Sequence, residues 1–288
     1  MKLLDQFSYT ELMPVLSTEG MRALDKAAKE ALAGDATAIE AGYDLMKQAG
    51  AALFEKVIEV LNRDAVCRGD AYCGAGDAPE KQIGNAPRSV AVFVGGGNNG
   101  GDGLVLAKLL IEAGIPCTTY SLAAADKFQN EAKMALEDFI SAGGRLTMYS
   151  PAGTAPESLS QAETAQRAPR FAGFTLAVDC ILGNGAHGEL RELYAAAVRD
   201  IAASNIPIVA ADAPTGYDSQ EHVRREPCIH ALETLLFGFP RLDAYTREGG
   251  PAFGEASVAP LGYPAGIVAQ FSENTFLATE TLIPQMLP

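Results

Sequence analysis

Apolar residues first recur at helical spacing in TEGMRALDKAAKEALA (18–33), where Met21, Leu24, Ala28 and Leu32 share a face and Thr18 is placed to cap it. A second helix is predicted after Gly42, because Leu45, Met46, Ala49, Leu53, Val57 and Leu61 form a stripe through DLMKQAGAALFEKVIEVL. Residues 64–88 carry Gly, Pro and Ala without a period and read as an exposed loop or insertion. The pattern then changes. SVAVFVG (89–95) is a β-branched run ending in glycine, as a strand buried on both faces reads. It feeds GGGNNGGDGLVLAKLLIEAG, in which Leu104, Ala107, Lys108 and Ile111 return to helical spacing and Gly114 is the stop. CTTYSL, DKFQNEAKMALEDFISAGG, LAVDCILG, ELRELYAAAVRDIAAS and IPIVAAD continue as strand, helix, strand, helix, strand. This alternation predicts an α/β fold with a mostly parallel central sheet, helices on both faces and N-terminal helices ahead of it. Ligands in such folds gather at the carboxyl ends of the strands, near the reversal of strand order. The expected organisation is one domain over 1–288: a helical lead (1–63), a loop insertion (64–88) and an α/β body (89–288).

Charge narrows the partners. Thirty-six acidic residues against 22 basic ones give a net charge of −14, which disfavours nucleic acid and anionic membranes. An anionic ligand must then be held by local donors. The N-terminal MKLLDQFSYTEL is interrupted by Asp5 and Gln6, and no apolar run reaches the ~18 residues of a membrane span, so neither secretion nor membrane insertion is expected. The five cysteines (Cys67, Cys73, Cys117, Cys180, Cys228) are odd in number and scattered, which fits free thiols in a reducing cytoplasm. Cys67 and Cys73 lack zinc-site spacing, and His187, His222 and His230 lie far from them.

The candidate chemistry sits at the turns. Gly95 to Gly103 holds six glycines in nine residues between a strand and a helix. It reads as a phosphate cradle, with glycines permitting positive φ and uncovered N–H groups at a helix N-terminus. A plain mobile turn is the alternative, weakened by Asn98, Asn99 and Asp102, whose side chains are available to ligand hydroxyls or a cation. Asp179 closes one strand and Asp212 another, before Ala213-Pro214-Thr215-Gly216. A lone strand-end aspartate is often only a turn former, but parallel strands bring these ends to one edge, where their loops share a cleft.

VFVGGGNNGGDGLVLAKLL, VDCILGNGAHGELRELY and PIVAADAPTGYDS together resemble the YjeF N-terminal domain family, the NAD(P)HX epimerases. The lead helices are similar too, with Asp25, Leu45, Met46, Ala49 and Gly50 matching the family pattern, and a weaker similarity reaches ALETLLFGFPRLDAY. The resemblance implies a three-layer Rossmann-like fold and interconversion of the R and S epimers of hydrated NADH and NADPH (NADHX, NADPHX), a metabolite repair reaction. By the same resemblance the substrate lies against Asn98, Asn99, Gly100, Gly101 and Asp102, against the loop Gly183, Asn184, Gly185, Ala186, His187, Gly188 and Glu189, and against Asp212, the candidate catalytic residue. It also implies that Asn99, Asp179 and Thr215 bind potassium; oxygen ligands of this kind suit a hard monovalent cation. Thr215 replaces the family's usual serine. His187 reads either as an acid or base near neutral pH or as a solvent-facing loop residue. A homodimer and coupling to a separate NAD(P)HX dehydratase belong to the same expectations.

Two rivals stand beside this reading. One is a non-catalytic binding or scaffold module of the same fold, against which Asn99, Asp102, Asp179 and Asp212 are all present. The other is an ordinary dinucleotide oxidoreductase, which wants an acid about 20 residues beyond the glycine turn; Asp126 is near enough that spacing alone does not exclude it.

Overall fold

The computed structural model describes residues 12–63, 88–151, 170, 171, 173–271 and 275–278. The insertion expected over 64–88 lies, except for Arg88, outside the described residues, as do Cys67 and Cys73.

Helix α1 (Thr18–Ala33) is capped by Ser17, whose side chain accepts from Gly20 N, so Thr18 is its first residue and not its cap. Helix α2 (Ala38–Leu61) starts earlier than expected. Thr37 and Glu40 cap each other's backbone N–H, closing a capping box ahead of Gly42. Gly42 is instead an interior position where a Cβ would collide with the buried Glu131 carboxyl.

The sheet consists of β2 (Val90–Val94), β3 (Cys117–Ser121), β4 (Leu146–Met148), β5 (Leu176–Cys180), β6 (Ile208–Ala211), β9 (Glu233–Phe237) and β10 (Glu255–Ala259). Its seven strands are all parallel, in the order β10-β9-β6-β5-β2-β3-β4. The chain builds outward from β2 to β4, returns to lay β5 on the other side of β2, and then builds outward again. The order therefore reverses between β2 and β5. Their carboxyl ends diverge there and open a crevice.

Each strand sends alternate side chains to opposite layers. Val90, Val92, Val94, Val178 and Val209 meet α2, α3 (Asn98–Glu112) and α4 (Asn130–Ser141) through Leu53, Leu104 and Phe139. Ala91, Phe93, Ala177 and Ile208 meet α5 (Glu192–Ala203) through Val198 and Ile201. The result is three layers. Helix α1 lies beyond α2 and packs Met21 and Leu24 against Phe239, Tyr263 and α6 (Ala265–Phe271). The short β7 (Tyr217–Asp218) and β8 (Val223–Arg224) form a hairpin after β6. Strand β1 (Leu12–Pro14) pairs antiparallel with β11 (Phe276–Ala278), which brings both ends of the described chain together. No helix among the described residues is long and apolar enough to cross a membrane.

Candidate active site

The glycine block does not form the turn expected of it. Gly97 is the N-cap of α3, and Asn98 to Gly103 already lie in the helix. None of the six glycines adopts positive φ. Close approach demands four of them, Gly95, Gly100, Gly101 and Gly103, whereas a Cβ at Gly97 would meet open space. A Cβ at Gly100 would strike the carbonyl of Gly95, one at Gly101 would come within 2.6 Å of Met46 Sδ, and one at Gly103 within 2.7 Å of Cys180 Cβ. The block thus lets α3 sit down on β2, β5 and α2 with its N-terminal N–H groups at the crevice.

Asp212 follows β6 in the left-handed region, with φ 64°. Asp tolerates this conformation better than most residues, and the turn aims its carboxylate across the strand ends. Oδ2 accepts from Asn184 N at 2.8 Å and Oδ1 from Arg241 Nη1 at 2.5 Å, while Arg241 Nη2 donates to the Asp212 carbonyl. Arg241 is 1% exposed and its carboxylate partner 18%, so the buried guanidinium supports a carboxylate that faces the cleft.

Asp102, on the second turn of α3, lines the same cleft as Asn98, Asn184, Asp212 and Arg241. Burial raises its pKa well above the usual carboxylate value, and the Asp212 and Asp25 charges push the same way against Lys29. The far wall comes from α1 and α2. Lys29 bridges Asp25 at 2.8 Å and Glu131 at 3.0 Å. Burial works against its charge, but the two carboxylates outweigh that and hold its pKa above the ordinary lysine value. Tyr263 closes this side, its hydroxyl donating to Asp25 at 3.4 Å.

A second polar cluster lies behind the loop that follows β5. Asp179 is 1% exposed; Oδ1 accepts from Ile181 N at 3.1 Å and Thr215 Oγ1 at 2.8 Å, and Oδ2 from Thr215 N at 2.7 Å. Burial pushes its pKa up to about 6, against those hydrogen bonds. Thr215 Oγ1 also accepts from Leu182 N at 3.2 Å. The next residue, Gly183, has no room for a side chain: a Cβ there would lie 2.9 Å from Asp212 Oδ2 and 3.2 Å from Asn99 Cγ. Neither amide atom of Asn99, buried at 8% exposure, has a partner among the described residues. An orphaned buried amide costs about 1–3 kcal/mol, a cost that a bound ion or water at this place would relieve. Asn99, Asp179 and Thr215 offer amide, carboxylate and hydroxyl oxygen, a donor set that fits a hard cation of low charge. No group of three or more His, Cys, Asp or Glu suited to a metal ion occurs among the described residues.

The residues expected from the sequence are thus divided. Asn98, Asp102, Asn184 and Asp212 line the cleft, with Asn99 and Gly183 just behind. Gly185, Ala186, His187, Gly188 and Glu189 instead line a neighbouring cavity with Tyr194 and Tyr217, on the other side of the loop. His187 is exposed there, and among the described residues its ring hydrogen-bonds only with the Gly185 carbonyl, at 3.3 Å. Gly100 and Gly101 are packing positions. Arg241, Lys29 and Tyr263 were not anticipated. Arg241 left a faint signal, a single cation in the apolar stretch LLFGFPRL that runs out of the end of β9; the other two depend on how α1 packs, which no local pattern reveals.

Comparison with known proteins agrees with this architecture. The family model described as YjeF-related protein N-terminus matches residues 42–242. A bifunctional NAD(P)H-hydrate repair enzyme of Moorella thermoacetica is 32% identical over 203 residues, covering 70% of this chain and 37% of that protein. An NAD(P)H-hydrate epimerase of Rhodopirellula baltica is 31% identical over 185 residues, covering 64% of this chain and 70% of that one. The chain thus spans little more than a third of its bifunctional relative. The crystal structure of yeast ynu0, YNL200c, superposes with a TM-score of 0.60 at 19% identity, over 92% of this chain and 99% of that one, and shares the fold. The match over residues 42–242 takes in the glycine block, both strand-end aspartates and Arg241, and the chain belongs to the YjeF-related N-terminal domain family.

Proposed function

We propose that the chain is an NAD(P)HX epimerase, an isomerase that interconverts the R and S forms of hydrated NADH and NADPH. The names of its relatives support the reaction class. The observation that carries the reading is the carboxylate of Asp212, held by Arg241 and Asn184 N–H at the floor of a cleft that α3 enters by its N-terminus.

The substrate is a cyclic hemiaminal, with a hydroxyl on C6 beside the ring nitrogen. Protonation of that hydroxyl lets it depart as water, and the nitrogen lone pair forms an iminium cation. Water added to the opposite face, with loss of a proton, gives the other epimer, so nothing is consumed. Asp212 suits this cycle. As the acid it can give its proton to the departing hydroxyl, as the resulting carboxylate it stabilises the cation, and it takes the proton back from the adding water. Asn98 and the N–H groups of α3 position the dinucleotide, and Gly183 and Asn184 shape the ring site.

Asn99, Asp179 and Thr215 would hold a potassium ion. Bound there, the ion supplies a fixed positive charge behind the loop. A homodimer, and a dehydratase that consumes one epimer, belong to the same proposal; the bifunctional relatives are named for hydrate repair as a whole. The test is chromatographic conversion of purified R-NADPHX or R-NADHX, with and without potassium. Conversion far faster than the spontaneous rate, stimulated by potassium in wild type and not in Asn99→Ala, is the expected result. Ligand binding without any acceleration would leave a binding module of the same fold.

A further inference from the structure

We infer that Arg22 is the anion-gripping residue of the cleft: it holds the diphosphate bridge of the dinucleotide at the mouth and so directs the nicotinamide end to the floor. The identity of the dinucleotide rests on the epimerase reading.

Three cations line the cleft, Arg22, Lys29 and Arg241. Two are already committed. Lys29 lies between Asp25 and Glu131, and Arg241 is bound to Asp212. Arg22 differs. It is exposed on α1, and among the described residues its guanidinium pairs with no carboxylate. Among the described residues its one hydrogen bond goes to the Asn184 carbonyl at 3.4 Å, the long limit for such a bond. Asp25, one turn further along α1, has turned to Lys29. The fork therefore stands over the loop after β5 with most of its five donors free.

Charge decides the orientation of a dinucleotide here. Among the described residues the acids that line the cleft are Asp25, Asp102 and Asp212, and the Asp25 and Asp212 carboxylates repel phosphate and welcome a cationic ring. Exposed Arg22 lines the same cleft as Asn98, which opens α3 and leaves backbone N–H groups of the first turn unpaired. A chain of net charge −14 offers a diphosphate no help from its overall field, so attraction must be local. A guanidinium fork is the side chain best matched to phosphate oxygens. Arg22 is the uncommitted one.

The experiment compares wild type, Arg22→Gln and Arg22→Lys in binding NAD⁺ and nicotinamide riboside, the second of which lacks phosphate, and in the KM and kcat for NADHX. Arg22→Gln is expected to weaken NAD⁺ binding and raise KM by about tenfold, with kcat little changed and with a flatter salt dependence. Nicotinamide riboside should bind all variants alike, and Arg22→Lys should recover part of the loss. Unchanged NAD⁺ affinity in Arg22→Gln would overturn the inference. So would an equal loss for nicotinamide riboside, which would make Arg22 a brace for the Asn184 loop. If wild type binds NAD⁺ in an Arg22-dependent way yet epimerises nothing, the inference stands and the epimerase reading falls.

Discussion

Arg241 and Asp212 form a unit that neither residue makes alone. The buried guanidinium spans the carboxylate and the carbonyl of the same residue, which fixes both the side chain and its left-handed backbone. Lysine at this position presents a single ammonium point that does not reproduce the planar fork. Arg241→Lys is therefore expected to lose about 3 kcal/mol in denaturant unfolding and to lower turnover through misplacement of Asp212. An unchanged unfolding midpoint would show that the fork contributes nothing to the site. The unpartnered Asn99 amide makes the complementary point. The residue is buried in a packed helix at the cost of two unmet hydrogen-bonding groups, which folding alone does not require.

At the scale of elements, much was legible and the exceptions have physical causes. The strands β2, β3, β5 and β6 and the helices α1, α3, α4 and α5 were readable because short β-branched or apolar runs alternate there with segments of helical period. Helix α2 was entered late, because Gly42 reads as a start signal while the Thr37–Glu40 capping box does the capping. The strand β4 carries only three residues, none buried, and offers no period to read. The glycine block lies between strand and helix as its sequence reads, but Gly95, Gly100, Gly101 and Gly103 answer to close packing and not to positive φ, which composition alone cannot separate. The loop 183–189 reads as one segment in sequence, yet the fold turns its two parts to different cavities. What holds that loop is Asp218 on β7, which accepts from Gly188 N at 2.8 Å and from Arg225 Nε at 2.9 Å, besides Gln220 N and Glu221 N. Burial works to raise the Asp218 pKa, but these donors outweigh it and hold the group down at about 2. A carboxylate depressed in the folded state stabilises it fully above the unfolded value of about 3.9, and the contribution fades as pH falls through about 2. Asp218→Asn should therefore lower stability at neutral pH and leave a shallower decline between about pH 4 and pH 2. Acid unfolding that follows the same curve in both proteins would contradict this.

The whole molecule converts separate loops into one site through its strand order. The reversal between β2 and β5 opens the crevice, and the loops after β5, β6 and β9 deliver Asn184, Asp212 and Arg241 to it. The remaining wall is supplied by α2, by α1 and by Tyr263 beyond β10, and the last two, from opposite ends of the chain, meet through Met21 and Phe239. That meeting is a long-range packing event, which explains why the strand-end aspartates were anticipated and the wall was not. The account's central claim is that the charge of Asp212 carries the chemistry, and the most direct measurement is the epimerisation rate of R-NADPHX with wild type and Asp212→Asn. Asparagine also tolerates positive φ and keeps an acceptor oxygen for Arg241 or Asn184 N–H, so the variant removes the charge with little change of shape. A rate reduced by about 10²- to 10⁴-fold in a variant that still folds is the result predicted. Undiminished turnover in folded Asp212→Asn would contradict the account and move the chemistry to another residue of the cleft.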